Sequence, residues 1–355
     1  MVTIADIARE AGVSRATVSL ALNGKPGVAP ETRRRVLEIA GRLNYQPNAS
    51  AKGLALQRTQ TIGVIVPDIS SPFYAELVRG VEEEAGTSGY YLILCTTAGK
   101  RAREEVYLRL LGERRVDGMI LVTPRGQEEA IRRFREAQLP LAIVDRDLPS
   151  ADEVIEVVVD NLQGALAAVE HLLDLGYRRI GFINGLPDLQ ASQDRLRGYQ
   201  LALRERGIVP DKRWVCVGDY QEKGGYRCMQ RLLKVDPPLE AVFVASDLMA
   251  MGAIRAIRRA GKDVPGDIAV VGFDDIPLSE VFTPPLTTVR QPIAKMGAIA
   301  CRLLLQEIRG EEILERKVML RTELVVRAST PSTEKGGDKQ GNKNRSITKR
   351  QRRVR

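Results

Sequence analysis

This 355-residue chain contains no apolar run long enough to cross a bilayer, and it lacks the basic start and apolar stretch of a secretory signal. Those absences exclude a membrane partner and lead us to expect a cytoplasmic protein. Histidine occurs once, as His171 in Val-Glu-His-Leu-Leu, with no metal-ligand neighbour at a useful spacing. The four cysteines, Cys95, Cys216, Cys228 and Cys301, are isolated and show no zinc-site spacing, so they read as reduced packing residues. No metal or cofactor is expected. There is also no Walker loop, no dinucleotide-binding glycine pattern and no nucleophile elbow. Parallel α/β folds host many activities, but nothing here supplies the chemistry of an enzyme.

The charge is unevenly placed. Residues 1–60 carry a net +5 and residues 331–355 a net +7, which leaves −3 for residues 61–330 of the chain's total +9. Basic ends on a near-neutral middle suit phosphate attraction concentrated at the N-terminus. There, residues 3–23 read as two short helices joined by a turn at Ala11-Gly12-Val13. Thr3 and Asp6 form a capping box, Ile4, Ile7, Ala8 and Ala11 make an apolar face, and Ser14 caps a second helix with Val18, Ala21 and Leu22 at helical spacing. The opposite face carries Arg15, Ala16, Thr17 and Ser19. A third helix over 30–44 starts at a proline and buries Val36, Ile39, Ala40 and Leu43. An ordinary helical hairpin has the same periodicity, but Gly12 between helices of this length, with short polar side chains beside Arg15, favours a helix-turn-helix that reads DNA.

Beyond the headpiece, β-branched runs alternate with helical stretches. Strands are expected near 61–67, 90–96, 118–123, 140–145, 155–159, 179–184, 214–218, 241–246, 268–273 and 287–290. Helices are expected at 72–88, 104–114, 161–175, 194–205, 224–233 and 248–260. Such alternation implies parallel sheets covered on both faces. Thr61-Ile-Gly-Val-Ile-Val is echoed by Arg179-Ile-Gly-Phe-Ile, which suggests two similar halves, with a ligand site in the crevice at the strands' carboxyl ends. Residues 331–355 contain no Leu, Phe, Tyr or Trp and are rich in Lys and Arg, so this tail is expected to be disordered, with nonspecific DNA affinity as a by-product.

From Val2 to about Arg327 the chain resembles the lactose-repressor/galactose-repressor (LacI/GalR) family of bacterial transcription regulators. The resemblance rests on Thr3-Ile-Ala-Asp-Ile-Ala, Val13-Ser14 followed by Thr17-Val18-Ser19, Leu22-Asn23-Gly24, Tyr45-Gln46-Pro47-Asn48 and Gly272-Phe273-Asp274-Asp275. It implies a small all-α helix-turn-helix headpiece over 1–46, a hinge helix and linker over 47–60, a two-lobed, periplasmic-binding-protein-like α/β core with parallel sheets over 61–330, and the disordered basic tail over 331–355. The segment near 291–322 should return to the first lobe. A homodimer is expected, since the tail has no leucine heptad that would pair dimers.

By the same resemblance the partners are double-stranded operator DNA and a small-molecule effector. Arg15 and Ala16 would read base edges in the major groove, while Ser14, Thr17, Ser19, Asn23 and Tyr45 would hold the phosphate backbone. Leu20 occupies a base-reading position that is frequently Arg in the family, and Leu20 cannot read guanine. Asn48 would cap the hinge helix and Leu54 would wedge into the minor groove, although a plain linker has the same residue chemistry. The effector cleft would draw on Ser71, Phe73, Tyr74, Asp145, Arg146, Arg195, Tyr220, Ser246, Asp274 and Gln291. An aspartate and an arginine can bracket vicinal hydroxyls while an aromatic face packs on a sugar's C–H side, so a sugar is the expected effector. Ser246 stands where many sugar binders have Asn, and Ala98 replaces a polar cleft residue, which keeps a purine or other small corepressor open as the alternative. A sugar-binding protein without a regulatory role is the remaining reading.

Overall fold

The computed structural model describes residues 2–45, 58–113, 115–124, 132, 136, 139–146 and 154–331. Asn48, Leu54, the hinge expected up to residue 57 and the tail from residue 332 lie outside the described residues. The chain divides into two compact units, one built from the N-terminal sixty residues and one from the bulk of the chain.

The first unit is three helices, α1 (Ile4–Ala11), α2 (Arg15–Leu22) and α3 (Pro30–Arg42). The capping box forms: Thr3 accepts from the Asp6 N–H, and Asp6 accepts from the Thr3 N–H at 3.0 Å. Gly12 ends α1 at φ 66°, a left-handed conformation that side chains beyond Gly resist. Ser14 caps α2 by accepting from the Thr17 N–H at 3.0 Å. Ile7, Ala8, Ala11, Val18, Ala21, Val36, Ile39 and Ala40 close one small core, with Leu22, Leu43 and Tyr45 packed on it.

The second unit is two lobes of like topology. In the first, β1 (Thr61–Val66), α4 (Pro72–Thr87), β2 (Tyr91–Thr96), α5 (Arg101–Gly112), β3 (Gly118–Val122), β4 (Leu141–Val144) and β5 (Ile155–Val159) are joined by α11 (Ile293–Arg309) and β11 (Lys317–Leu320). The second lobe contains α6 (Asn161–Asp174), β6 (Ile180–Asn184), α7 (Gln190–Glu205), β7 (Val215–Val217), α8 (Glu222–Leu232), β8 (Ala241–Val244), α9 (Asp247–Arg259), β9 (Ala269–Asp274), α10 (Leu278–Val281), β10 (Thr287–Arg290) and β12 (Glu323–Val325). The sheet orders are β11-β5-β4-β3-β1-β2 and β12-β10-β9-β8-β6-β7. Every pairing is parallel except β10 with β12. Because helices cover both faces, β3, β4 and β8 are buried along their whole length, which is why they read as unbroken apolar runs rather than alternating ones.

The chain crosses between lobes after β5, after β10 and after β11, so the segment from α11 to β11 does return to the first lobe. α11 packs tightly on α4: a Cβ at Gly80 would sit 2.0 Å from the Ala294 carbonyl oxygen, and one at Gly297 would sit 2.2 Å from that of Leu77. All ten expected strands form. Two further strands, β11 and β12, escaped sequence reading because they are short, half-buried edge segments. Helix α7 begins at Gln190 rather than at residue 194; its polar first turn carries no apolar period, and Ala191 and Ser192 are buried by tertiary packing.

Candidate functional site

In the first unit, Val18 and Ala21 of α2 face the core, leaving Arg15 and Ala16 exposed and Thr17, Ser19 and Leu20 half-buried. Ala16 and Leu20, four residues apart, share the side of α2 away from Val18 and Ala21. Ser14 and Thr17 hydroxyls lie 2.9 Å apart, and the Asn23 amide donates to the Ser19 carbonyl at 2.8 Å, so both ends of α2 are tied by the polar residues themselves. Arg33, which the sequence did not single out, donates to the Ala21 and Lys25 carbonyls and secures the carboxyl end of the same helix. Tyr45 packs against the three-helix core. The exposed strip is thus a rigid helix edge with one guanidinium at its N-terminal end.

In the second unit, the carboxyl ends of the parallel strands converge on a cleft between the lobes. It is nearly closed, with a cavity volume of about 40 Å³. Nine of the ten expected cleft residues line it: Ser71, Phe73, Tyr74, Asp145, Arg195, Tyr220, Ser246, Asp274 and Gln291. The tenth, Arg146, donates to the Pro124 carbonyl at 2.6 Å and borders an adjoining hollow that shares Asp145 and Ala191 with the cleft. Thr123, Leu189, Ala191, Leu248 and Ile276 also line the cleft. Thr123 could have been found, since it directly follows β3 as Asp145 follows β4; the apolar four carry no chemical signature.

The cleft backbone is strained where its polar groups sit. Thr123, Asp145, Tyr220 and Asp274 have φ of 48°, 61°, 61° and 122°, in a region that disfavours non-glycine residues. Surrounding packing holds them there. Tyr220 shares a hydroxyl contact of 2.7 Å with Ser192, and its ring occupies the space a side chain at Gly185 would need, 2.1 Å from an added Cβ. Arg195 is nearly fully buried; it donates to Asn161 at 2.9 Å and to the Ala245 carbonyl at 2.5 Å, and its guanidinium lies 3.7 Å over the Phe273 ring. That leaves it 4.0 Å from Asp274. Asp274 in turn accepts from the Gln291 amide at 2.7 Å, and Asp145 accepts from the Thr123 hydroxyl at 2.9 Å.

Burial raises the Asp145 carboxyl above its usual range, opposed by Arg195 and Thr123. Burial raises Asp274 further, opposed by Arg195 and reinforced by the neighbouring Asp247. Tyr74 and Tyr220 are raised chiefly by burial and stay protonated donors. Two buried acceptors, Asp145 Oδ1 and Gln291 Oε1, have no hydrogen-bond partner. Unsatisfied buried acceptors cost on the order of 1–3 kcal/mol each, so these two atoms are positions at which a hydroxyl or N–H donor would be stabilised. Among the described residues no group of His, Cys, Asp and Glu could hold a metal ion, and no helix is long and apolar enough to cross a membrane.

Comparison with known proteins finds two family matches in the chain. Residues 3–48 match the bacterial regulatory proteins, lacI family, and residues 169–330 match the periplasmic binding protein-like domain. Catabolite control protein A of Priestia megaterium is 38% identical over 330 residues, covering 93% of this chain and 99% of that protein. The solved complex of the transcriptional regulator CelR with cellobiose superposes over 93% of this chain and 100% of its own, at 35% identity and a TM-score of 0.72. The lac repressor dimer bound to operator and the anti-inducer ONPF superposes over 93% and 99%, at 28% identity and a TM-score of 0.83.

Proposed function

Because the chain belongs to the lacI family of bacterial regulatory proteins, and is thus a DNA-binding regulator rather than an enzyme, we propose that it represses transcription as a homodimer on a pseudo-palindromic operator and that a sugar in the cleft releases it. The observation that carries the sugar is the pair of unpartnered acceptors, Asp145 Oδ1 and Gln291 Oε1, facing Arg195 across a cleft edged by Phe73, Tyr74 and Tyr220. Neighbouring hydroxyls would satisfy both acceptors while accepting from the guanidinium. A flat purine would prefer a parallel aromatic slot, whereas the Phe73 and Tyr74 rings meet edge-on at 82°. CelR, whose whole chain superposes over 93% of this one, is solved with cellobiose.

On this reading Arg15 and Ala16 read base edges, Leu20 meets an apolar base edge instead of guanine, and Ser14, Thr17, Ser19, Asn23 and Tyr45 position the backbone. Residues 47–60 act as the hinge, with Asn48 as its cap and Leu54 as its minor-groove wedge. Exposed Tyr91, Ile93 and Leu94 on the edge strand β2, Val106 and Leu110 on α5, and Leu278 and Val281 on α10 offer the apolar surface that a second copy would bury. Sugar closes the lobes, and the difference in its affinity for the open and closed states is the free energy that disfavours operator binding.

The test is selection of an operator from random duplex DNA, followed by titration of the complex with sugars and purines. A pseudo-palindrome released by one sugar supports the proposal. Release by no sugar, with tighter binding in the presence of a purine, replaces it with a corepressor. Failure to select any sequence removes the operator reading.

A further inference from the structure

Two of the four cysteines are brought together by the fold. Cys216 lies in β7, the edge strand of the second lobe's sheet, and Cys228 lies in α8; their Sγ atoms are 2.7 Å apart. Cys95 and Cys301 belong to the first lobe, in β2 and α11. Between the paired cysteines runs the turn that carries the cleft residue Tyr220 at φ 61°. Disulfide sulfurs stand about 2.05 Å apart, so the bond needs a shift of less than about 1 Å. Both thiols are buried, Cys216 on the edge strand and Cys228 on the helix that packs against it, so oxidation requires peroxide to reach them through local opening of that edge.

We propose that Cys216 and Cys228 form an oxidant-responsive modification site, in which the two thiols close to an intramolecular disulfide around the Tyr220 turn under hydrogen peroxide. Contact with the Cys228 sulfur, whose own S–H reaches the Val217 carbonyl at 3.3 Å, brings Cys216 down to about 7, opposed by burial and aided by the nearby Arg231 guanidinium. Cys216 is therefore the nucleophile at neutral pH. Its thiolate attacks one peroxide oxygen; the O–O bond breaks, hydroxide leaves and takes up a proton as water, and Cys216 becomes a sulfenic acid. The Cys228 sulfur then attacks the Cys216 sulfur, the S–S bond forms as the S–O bond breaks, and the thiol proton leaves with the hydroxyl as a second water. Two thiols are oxidised and one peroxide is reduced to two waters. Cys95 is raised by burial, and burial pushes Cys301 up to about 12, so neither competes.

The experiment uses the native full-length chain and does not depend on which effector the cleft takes. After hydrogen peroxide, an acid quench and alkylation in denaturant, free thiols should fall from four to two, and a non-reducing tryptic digest should contain residues 214–223 linked to 228–231. Dithiothreitol should restore all four. Cys228→Ser should stop at a Cys216 sulfenic acid that dimedone traps, while Cys216→Ser should leave Cys228 unlabelled. Four thiols surviving at peroxide doses that oxidise the unfolded chain would overturn the site, as would Cys216 running on to sulfinic acid with Cys228 still free.

Discussion

Arg195 combines three demands at one residue: it donates to a side-chain amide and a backbone carbonyl, covers the Phe273 ring, and still stands 4.0 Å from Asp274. Its guanidinium opposes, without cancelling, the burial that raises both cleft carboxyls. Asp274→Ala removes the acceptor of the Gln291 contact and the carboxyl that stands 4.0 Å from Arg195. Effector affinity should fall at least tenfold, by about 1.5–3 kcal/mol for a charged hydrogen bond, with operator affinity in the absence of effector within threefold of wild type; calorimetry and a DNA-binding titration read the two separately. Asp247 acts one step back from the cleft. It accepts from the Ile276 N–H at 3.0 Å and the hydroxyls of Ser279 at 2.7 Å and Thr288 at 2.5 Å, and so ties down the loop that supplies Ile276. Burial pushes Asp247 up to about 6 despite these donors. A raised folded-state value means that the native protein holds a proton the unfolded chain has lost, so this stabilisation is complete below about pH 4 and is lost as pH rises through 6. Relative to Asp247→Asn, wild type should lose on the order of 2–3 kcal/mol of stability between pH 4 and 7, read from urea midpoints; parallel curves would sink the assignment.

At the scale of elements, helix ends and helix contacts decide stability. Ser14 supplies the only side-chain cap at the start of α2, and Ser14→Ala should lower the stability of the N-terminal unit by about 1 kcal/mol, visible as an earlier helical melting transition in circular dichroism. The α4–α11 contact is set by backbone approaching backbone at Gly80 and Gly297. Gly80→Ala puts a methyl 2.0 Å from the Ala294 carbonyl oxygen, so the helices must separate. A loss of about 1–3 kcal/mol follows from overpacking, against the small gain that Gly→Ala brings in an exposed helix, and the denaturation midpoint of the whole chain gives the sign. The same helix α11 bears the return of the chain to the first lobe, so its displacement also reaches the crossing at Gln291.

For the whole molecule, separate cores in the two units mean separable tasks. The three-helix unit closes around Ile7, Val18 and Val36, and each lobe has an apolar cluster of its own. A fragment of residues 61–331 should bind effector within about threefold of the full chain and lose sequence-specific DNA binding, as read by calorimetry and by mobility shift. Retained operator specificity in that fragment would refute the division of labour. The two lobes, in contrast, share one cleft and three chain crossings, so neither lobe alone should retain effector affinity.

Local chemistry made much of this legible in the sequence. Capping by Thr3 and Ser14, the turn at Gly12, and the apolar runs of ten strands follow from side chains acting on their own neighbours, and they appear where the pattern places them. The family resemblance then named nine of the residues that line the cleft. Other features depended on which distant segments meet. The edge strands β11 and β12 exist because β5 and β10 offer open hydrogen-bonding edges, the turn of Arg146 to Pro124 depends on a chain segment 22 residues away, and the strained φ of Asp145, Tyr220 and Asp274 is imposed by packing that local preference opposes. Cys216 and Cys228 likewise read as isolated until β7 and α8 set their sulfurs 2.7 Å apart. The sequence by itself determined the elements and the family, because these rest on short-range sterics and apolar periodicity; only the tertiary structure decided which polar atoms are buried without partners and which thiols touch, because desolvation and contact belong to groups far apart along the chain.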